Sequence, residues 1–128
     1  MYDQITKNFN TREGRCLGKD CCNHSSPVTP EVWYALQEFR DALCKFFKRD
    51  IVLDLTNGYR CQKHNKSLSK SKPTSQHCRG LAVDILIPEG VNPEVFMSIA
   101  KNYFKGVGLY KGFLHVDLRV GRRATWRN

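Results

Sequence analysis

Four side chains, three in two apolar stretches and one just before the first, could do chemistry together. Leu81-Ala82-Val83-Asp84-Ile85-Leu86-Ile87 is apolar at every position except Asp84. That pattern reads as a buried strand with a carboxylate set inside it. A buried carboxylate without a partner is costly, so Asp84 needs a cation or several donors. His77 sits just before the strand, across a turn at Arg79-Gly80. In Phe113-Leu114-His115-Val116-Asp117-Leu118, His115 and Asp117 stand two apart, and on a strand such residues share one face. Two imidazoles and a carboxylate converging from two strands make a three-ligand zinc site with one position open for water. Mixed nitrogen and oxygen ligation suits Zn²⁺ better than Mg²⁺ or Ca²⁺. Each histidine alone reads as a surface or satisfied core residue, and spacing by itself leaves both readings open.

The elements that must position these residues can be read in order. Residues 1–9 are a loosely held lead-in, and residues 10–28, rich in Gly, Asn, Ser and Cys, read as an irregular loop. Thr29-Pro30-Glu31 starts a helix with a capping residue, a proline in the first turn and an acid facing the dipole. Val32, Leu36, Phe39, Leu43 and Phe46 or Phe47 recur at helical spacing, ending near Lys48-Arg49. Ile51 to Thr56 reads as a strand broken by Asn57-Gly58, Gln62 to Leu68 as a short polar helix or turn, and Ser69 to Thr74 as a solvent-facing loop. After the Asp84 strand, Asn92-Pro93-Glu94 opens a second helix with Val95, Phe96, Ile99, Tyr103 and Phe104 on its inner side. Val107 to Tyr110, a turn at Lys111-Gly112 and Phe113 to Arg119 read as a hairpin. The tail from Val120 to Asn128 is basic and carries Trp126. The expected architecture is one α+β domain over residues 1–128: a small, mostly antiparallel sheet with two main helices packed on it.

Composition narrows the class. At 128 residues with 41% hydrophobic content, the chain can bury a real core and is globular. No apolar run approaches the ~20 residues of a membrane span, and residues 1–8 hold no signal-peptide core. The expectation is synthesis in the cytoplasm, with no membrane insertion. A net charge of +9 fits a polyanionic partner, nucleic acid or a bacterial wall, but a diffuse basic surface also serves plain solubility. No nucleic-acid recognition motif accompanies the charge, and no nucleic-acid partner is expected. The six cysteines in a chain without a leader read as thiols or metal ligands before a disulfide framework. Cys16-x4-Cys21-Cys22-x-His24 could hold a second, structural zinc; partly buried thiols, or a disulfide formed after release, are the alternative.

A resemblance adds to this. Thr56-Asn57-Gly58-Tyr59-Arg60, Asn65, Ser75-Gln76-His77-x-x-Gly80-x-Ala82-x-Asp84-Ile85, Gly106-Val107-Gly108-Leu109-Tyr110-x-x-Phe113-x-His115-Val116-Asp117, then Arg123 and Trp126, appear in that order. Together they resemble the M15 family of zinc peptidases, closest in pattern to its short phage and bacterial branch. The resemblance implies the Hedgehog/DD-peptidase fold and a Zn²⁺ cofactor held by His77, Asp84 and His115. It further implies a peptidoglycan stem peptide as substrate, cut as a DD-carboxypeptidase or an L-Ala–D-Glu endopeptidase. Arg60 would bind substrate or the oxyanion, with Ser75 and Trp126 as further substrate-binding residues. Gly58, Gly80 and Gly108 would be backbone requirements. A monomer is expected, acting on the wall after release or as part of a virion.

One position departs from the family pattern. Several branches carry an acid three residues before the last zinc histidine, as general base; here Gly112 stands there. Asp117 is the best remaining carboxylate, either as catalytic base or as a residue that orients a ligand. Ser71-Lys72-Pro73-Thr74 also replaces the glycine-rich loop common in the family. Cys78, beside His77, reads as structural. The competing function is a binding module that keeps the zinc fold without catalysis.

Overall fold

The computed structural model describes residues 2–68 and 72–128. Its scaffold is α1 (Pro30–Phe47), entered at Thr29 as the spacing predicts. The cap differs in detail. The Thr29 side chain makes no capping bond and its hydroxyl is buried without a partner. Its backbone N–H donates instead to Gly80 O at 2.9 Å, tying the helix entry to the turn that carries His77. Val32, Trp33, Leu36, Phe39 and Leu43 are fully buried along one face. Phe47 joins the core and Phe46 stays exposed, which settles the pair the periodicity left open. Lys48 ends the helix in the left-handed conformation, φ 55°.

Five strands form one sheet: β1 (Leu55–Asn57), β2 (Ala82–Leu86), β3 (Gly106–Tyr110), β4 (Phe113–Asp117) and β5 (Ala124–Arg127). Their order is β1-β2-β4-β3-β5, antiparallel except for the β3–β5 pair. The two-residue alternation of a strand divides the sheet cleanly. Val83, Ile85, Val107, Leu114 and Val116 enter the core shared with α1 and α3 (Pro93–Ala100). Ala82, Asp84, His115 and Asp117 occupy the alternate positions. Phe39 is the hub beneath, with ring centroids 5.1 Å from Phe96 and 6.1 Å from Phe104.

Three expectations need correction. Ile51 to Leu53 is not a strand: Ile51 and Leu53 are buried as core-lining residues of a connection, and β1 starts only at Leu55 and includes Asn57. The tail, read without an element, holds one, because Ala124–Arg127 adds β5 to the sheet edge. Within residues 10–28, Thr11–Gly14 forms a 3₁₀ helix closed by a capping box between Asn10 and Glu13. The short helix is confirmed as α2 (Gln62–Ser67). The second main helix stops at Ala100, and Phe104 reaches the core from the turns after it. Of the loop read over Ser69 to Thr74, residues 69–71 lie outside the described residues.

Because Phe39 is fully buried at the meeting point of α1, α3 and the sheet, Phe39→Ala is expected to lower stability by ~3–5 kcal/mol. Urea unfolding measures this as a lower midpoint at unchanged slope. A loss under ~1 kcal/mol would show that the aromatic cluster is not the hub of the core.

Candidate metal centre

Asp84 and His115 face each other directly across β2 and β4, so their side chains leave the sheet on the same side. His115 Nδ1 lies 3.1 Å from Asp84 Oδ1, and His77 Nε2 lies 3.3 Å from the same oxygen. The two rings meet at 73° with centroids 5.2 Å apart. His77 arrives from the turn before β2, not from the strand itself. All three donor atoms fall within 4.8 Å of one another.

The outer nitrogen of each ring is already engaged. His77 Nδ1 is 2.8 Å from Gly58 O, and His115 Nε2 is 2.7 Å from Asp117 Oδ2. A carbonyl and a carboxylate only accept, so both outer nitrogens carry the proton and donate. In the neutral rings, the inner nitrogens then aim lone pairs at a carboxylate oxygen. Three acceptors converging in a buried place call for a cation among them, and this donor set fits a divalent ion of the zinc type.

The same contacts set the electrostatics. When the imidazoles are protonated, burial still pushes the Asp84 carboxyl upward, but hydrogen bonds from His115 and His77 outweigh it and hold the group below the ordinary carboxylate range. Burial likewise opposes the charged form of His115, while Asp117 and Asp84 together raise its pKa. Asn57 Nδ2 donates to the second Asp84 oxygen at 3.3 Å.

Asp117 is fully buried. Arg119 grips it through Nε at 2.9 Å, Nη2 at 2.6 Å and its backbone N–H at 3.0 Å. Burial is outweighed here too, by Arg119 and His115, and the carboxyl is held low. Asp117 stands behind His115, on the ring edge opposite Asp84. It has room because Gly106 is its partner on β3, where a Cβ would lie 2.2 Å from the carboxylate.

Trp126, delivered by β5, tilts against His115 with centroids 5.3 Å apart. Its Nε1 donates to Tyr110 Oη at 2.9 Å, and the Arg119 guanidinium sits 5.1 Å from the ring. Gly108 makes the approach possible, since a Cβ there would meet the indole at 2.2 Å. Of the other predicted glycines, Gly80 has φ +70°, and Gly58 abuts the Gly14 backbone.

Arg60 is held by neutral groups: Nε donates to Asn65 Oδ1 and Nη2 to Ser75 Oγ, both at 2.9 Å. Among the described residues no carboxylate pairs with it, so its charge faces a cleft of about 510 Å³. That cleft brings together Arg60, Ser75, His77, Asp84, His115 and Trp126, the sequence-predicted set apart from Asp117. Cys78 lies outside it. Lys72, Tyr110 and Arg119 also line it and were missed from sequence. Arg119 had a signal, because it continues the alternation His115-x-Asp117-x-Arg119 onto the same face. Tyr110 and Lys72 lie in stretches already singled out, the Gly106–Tyr110 motif and the loop over residues 71–74, but neither is named there as a site residue.

A family model described as Peptidase M15 matches residues 5–117. The match takes in every strand but β5. No curated protein matches the chain.

Gly108→Ala is expected to drive the indole off His115. Trp126 emission should change while buried Trp33 supplies a constant background, and a spectrum identical to wild type would show that the two side chains are not in contact.

Proposed function

The chain belongs to the Peptidase M15 family, and from that premise we propose a zinc-dependent metallopeptidase that hydrolyses peptide bonds in bacterial peptidoglycan stem peptides. The observation that carries this reading is the convergence of His77 Nε2, Asp84 Oδ1 and His115 Nδ1 on one point, each histidine locked by a second hydrogen bond. These three residues would hold the zinc, which when bound supplies Lewis acidity and a water of lowered pKa.

The rest of the work falls to the chain. Asp117, protonating nothing and accepting from His115 Nε2, keeps the imidazole in the tautomer that presents Nδ1 to the ion. This makes it a positioning residue in our reading. Arg60, which has no carboxylate partner among the described residues, offers its guanidinium to a carbonyl or carboxylate oxygen of the substrate, and Ser75 fixes its orientation. Trp126 and Tyr110 form an apolar wall that limits water at His115. Lys72 adds a second positive charge to the cleft, whose lining holds one acid, Asp84, among the described residues. Stem peptides carry several carboxylates, and the wall is polyanionic, so a chain of net charge +9 is attracted to both. The setting we propose is lysis by a phage or prophage enzyme, with either the D-Ala–D-Ala or the L-Ala–D-Glu bond as the target.

One observation favours a second reading. Gly112, at the position where family branches carry the base, has φ +87° in the turn between β3 and β4, and a Cβ there would meet nothing within 4 Å among the described residues. With no free carboxylate lining the cleft among the described residues, the domain could bind wall peptide through its zinc without cutting it.

Mass spectrometry of purified peptidoglycan fragments after incubation separates the two. A new zinc-dependent fragment is expected, and its mass names the bond. Zinc bound with no new fragment from walls of several chemotypes would leave the binding module. Asp117→Asn is expected to weaken zinc ~10–100-fold in a chelator competition, with turnover recovered at saturating zinc. Turnover abolished at full zinc occupancy would instead make Asp117 the catalytic base.

A further inference from the structure

A second group of metal-ligand side chains lies apart from the cleft. Cys16, Cys21, Cys22 and Cys61 bring their sulfurs within 4.8 Å of one another. The Cys16–Cys21, Cys16–Cys61 and Cys21–Cys22 separations are 3.9, 4.0 and 3.9 Å. Thiolates ~2.3 Å from a tetrahedral zinc stand about 3.8 Å apart, so these edges are those of a ZnS₄ tetrahedron. They are far longer than the ~2.05 Å of a disulfide, and all four cysteines are free. From this geometry we propose that Cys16, Cys21, Cys22 and Cys61 hold a structural zinc, distinct from the ion at His77, Asp84 and His115.

The local chain is shaped for that task. Asp20, Asn23 and His24 adopt left-handed conformations at φ 54°, 55° and 55°, which are unfavourable for side chains other than glycine and Asn-like residues. They curl the loop so that Cys21 and Cys22 return to Cys16. Spacing in the sequence offers His24 as the fourth ligand. The structure assigns that place to Cys61, because the converging group is made of the sulfurs of Cys16, Cys21, Cys22 and Cys61, and His24 takes no part in it. Cys61 Sγ accepts a hydrogen bond from His64 N at 3.4 Å, the kind of outer contact that steadies a thiolate ligand. Gly18 lies so close that a Cβ would stand 2.7 Å from Cys21 Sγ.

The stretch from Arg15 to Ser25 has no helix or strand, and Cys16 is its one fully buried side chain. Soft, closed coordination replaces the core that such a loop lacks. The ion would join this loop to Cys61, the residue after Arg60, and so brace the cation of the cleft from behind.

Metal content of the whole chain, purified under reducing conditions with zinc, tests the proposal. Two zincs are expected in the wild type, one in His77→Ala and one in the Cys21→Ser/Cys22→Ser double variant. Should the double variant fail to fold, cobalt substitution of His77→Ala, with every cysteine intact, decides. A strong sulfur-to-cobalt charge-transfer band is expected there. A His77→Ala chain with no bound metal, cobalt bound without that band, or disulfides among the four cysteines in the reduced preparation would overturn the site. If instead wild type and His77→Ala both hold one ion with the thiolate band, the cysteine site stands and the zinc at His77 falls.

Discussion

One carboxylate sets the terms for this fold. Asp84 lies on β2, next to the central strand, nearly sealed from solvent, where an isolated charge would be strongly disfavoured. Everything around it is arranged to keep it ionised. Two imidazoles approach one oxygen and Asn57 approaches the other. Each imidazole is held by an acceptor supplied from elsewhere in the chain: the Gly58 carbonyl for His77, and Asp117 for His115. Asp117 in turn needs Arg119 to remain charged. The site is a chain of buried polar groups, each held by the next up to the point where three acceptor atoms meet and call for a cation, and such networks hold their geometry only when complete.

The sheet makes this possible by giving each face one task. Its core side is aliphatic and packs on aromatic residues of the helices; its other side carries the polar network. Two glycines on β3 keep the second face open. Gly106 and Gly108 lie beside Asp117 and His115, and the space where side chains would stand is filled by a carboxylate and an indole. The strand therefore serves as scaffold on one side and as a recess on the other.

Much of this was legible in the sequence because it rests on short-range periodicity. The alternation around Asp84 and His115 placed both residues, and the spacing along α1 placed the core helix. The losses share a physical cause. β5 is four residues of mixed polarity at a sheet edge, and its partner β3 lies well upstream, so no local pattern marks it. Ile51 to Leu53 has strand-like composition, yet Ile51 N donates to Cys44 Sγ and not to a neighbouring strand. Cys61 joins cysteines 39 or more positions earlier, a proximity set by the fold alone. The alternation also put Asp117 on the face of His115, but which ring edge it meets depends on ring orientation, which spacing does not encode.

The parallel pairing of β5 has a consequence for synthesis. Trp126, which walls the cleft beside His115, belongs to the segment that emerges after every other strand of the sheet. As the chain leaves the ribosome, α1, β1 and β2 can begin to associate, but β4 must be made before Asp84 meets His115, and β5 before the indole covers it. A nascent chain shorter than this therefore presents no finished site.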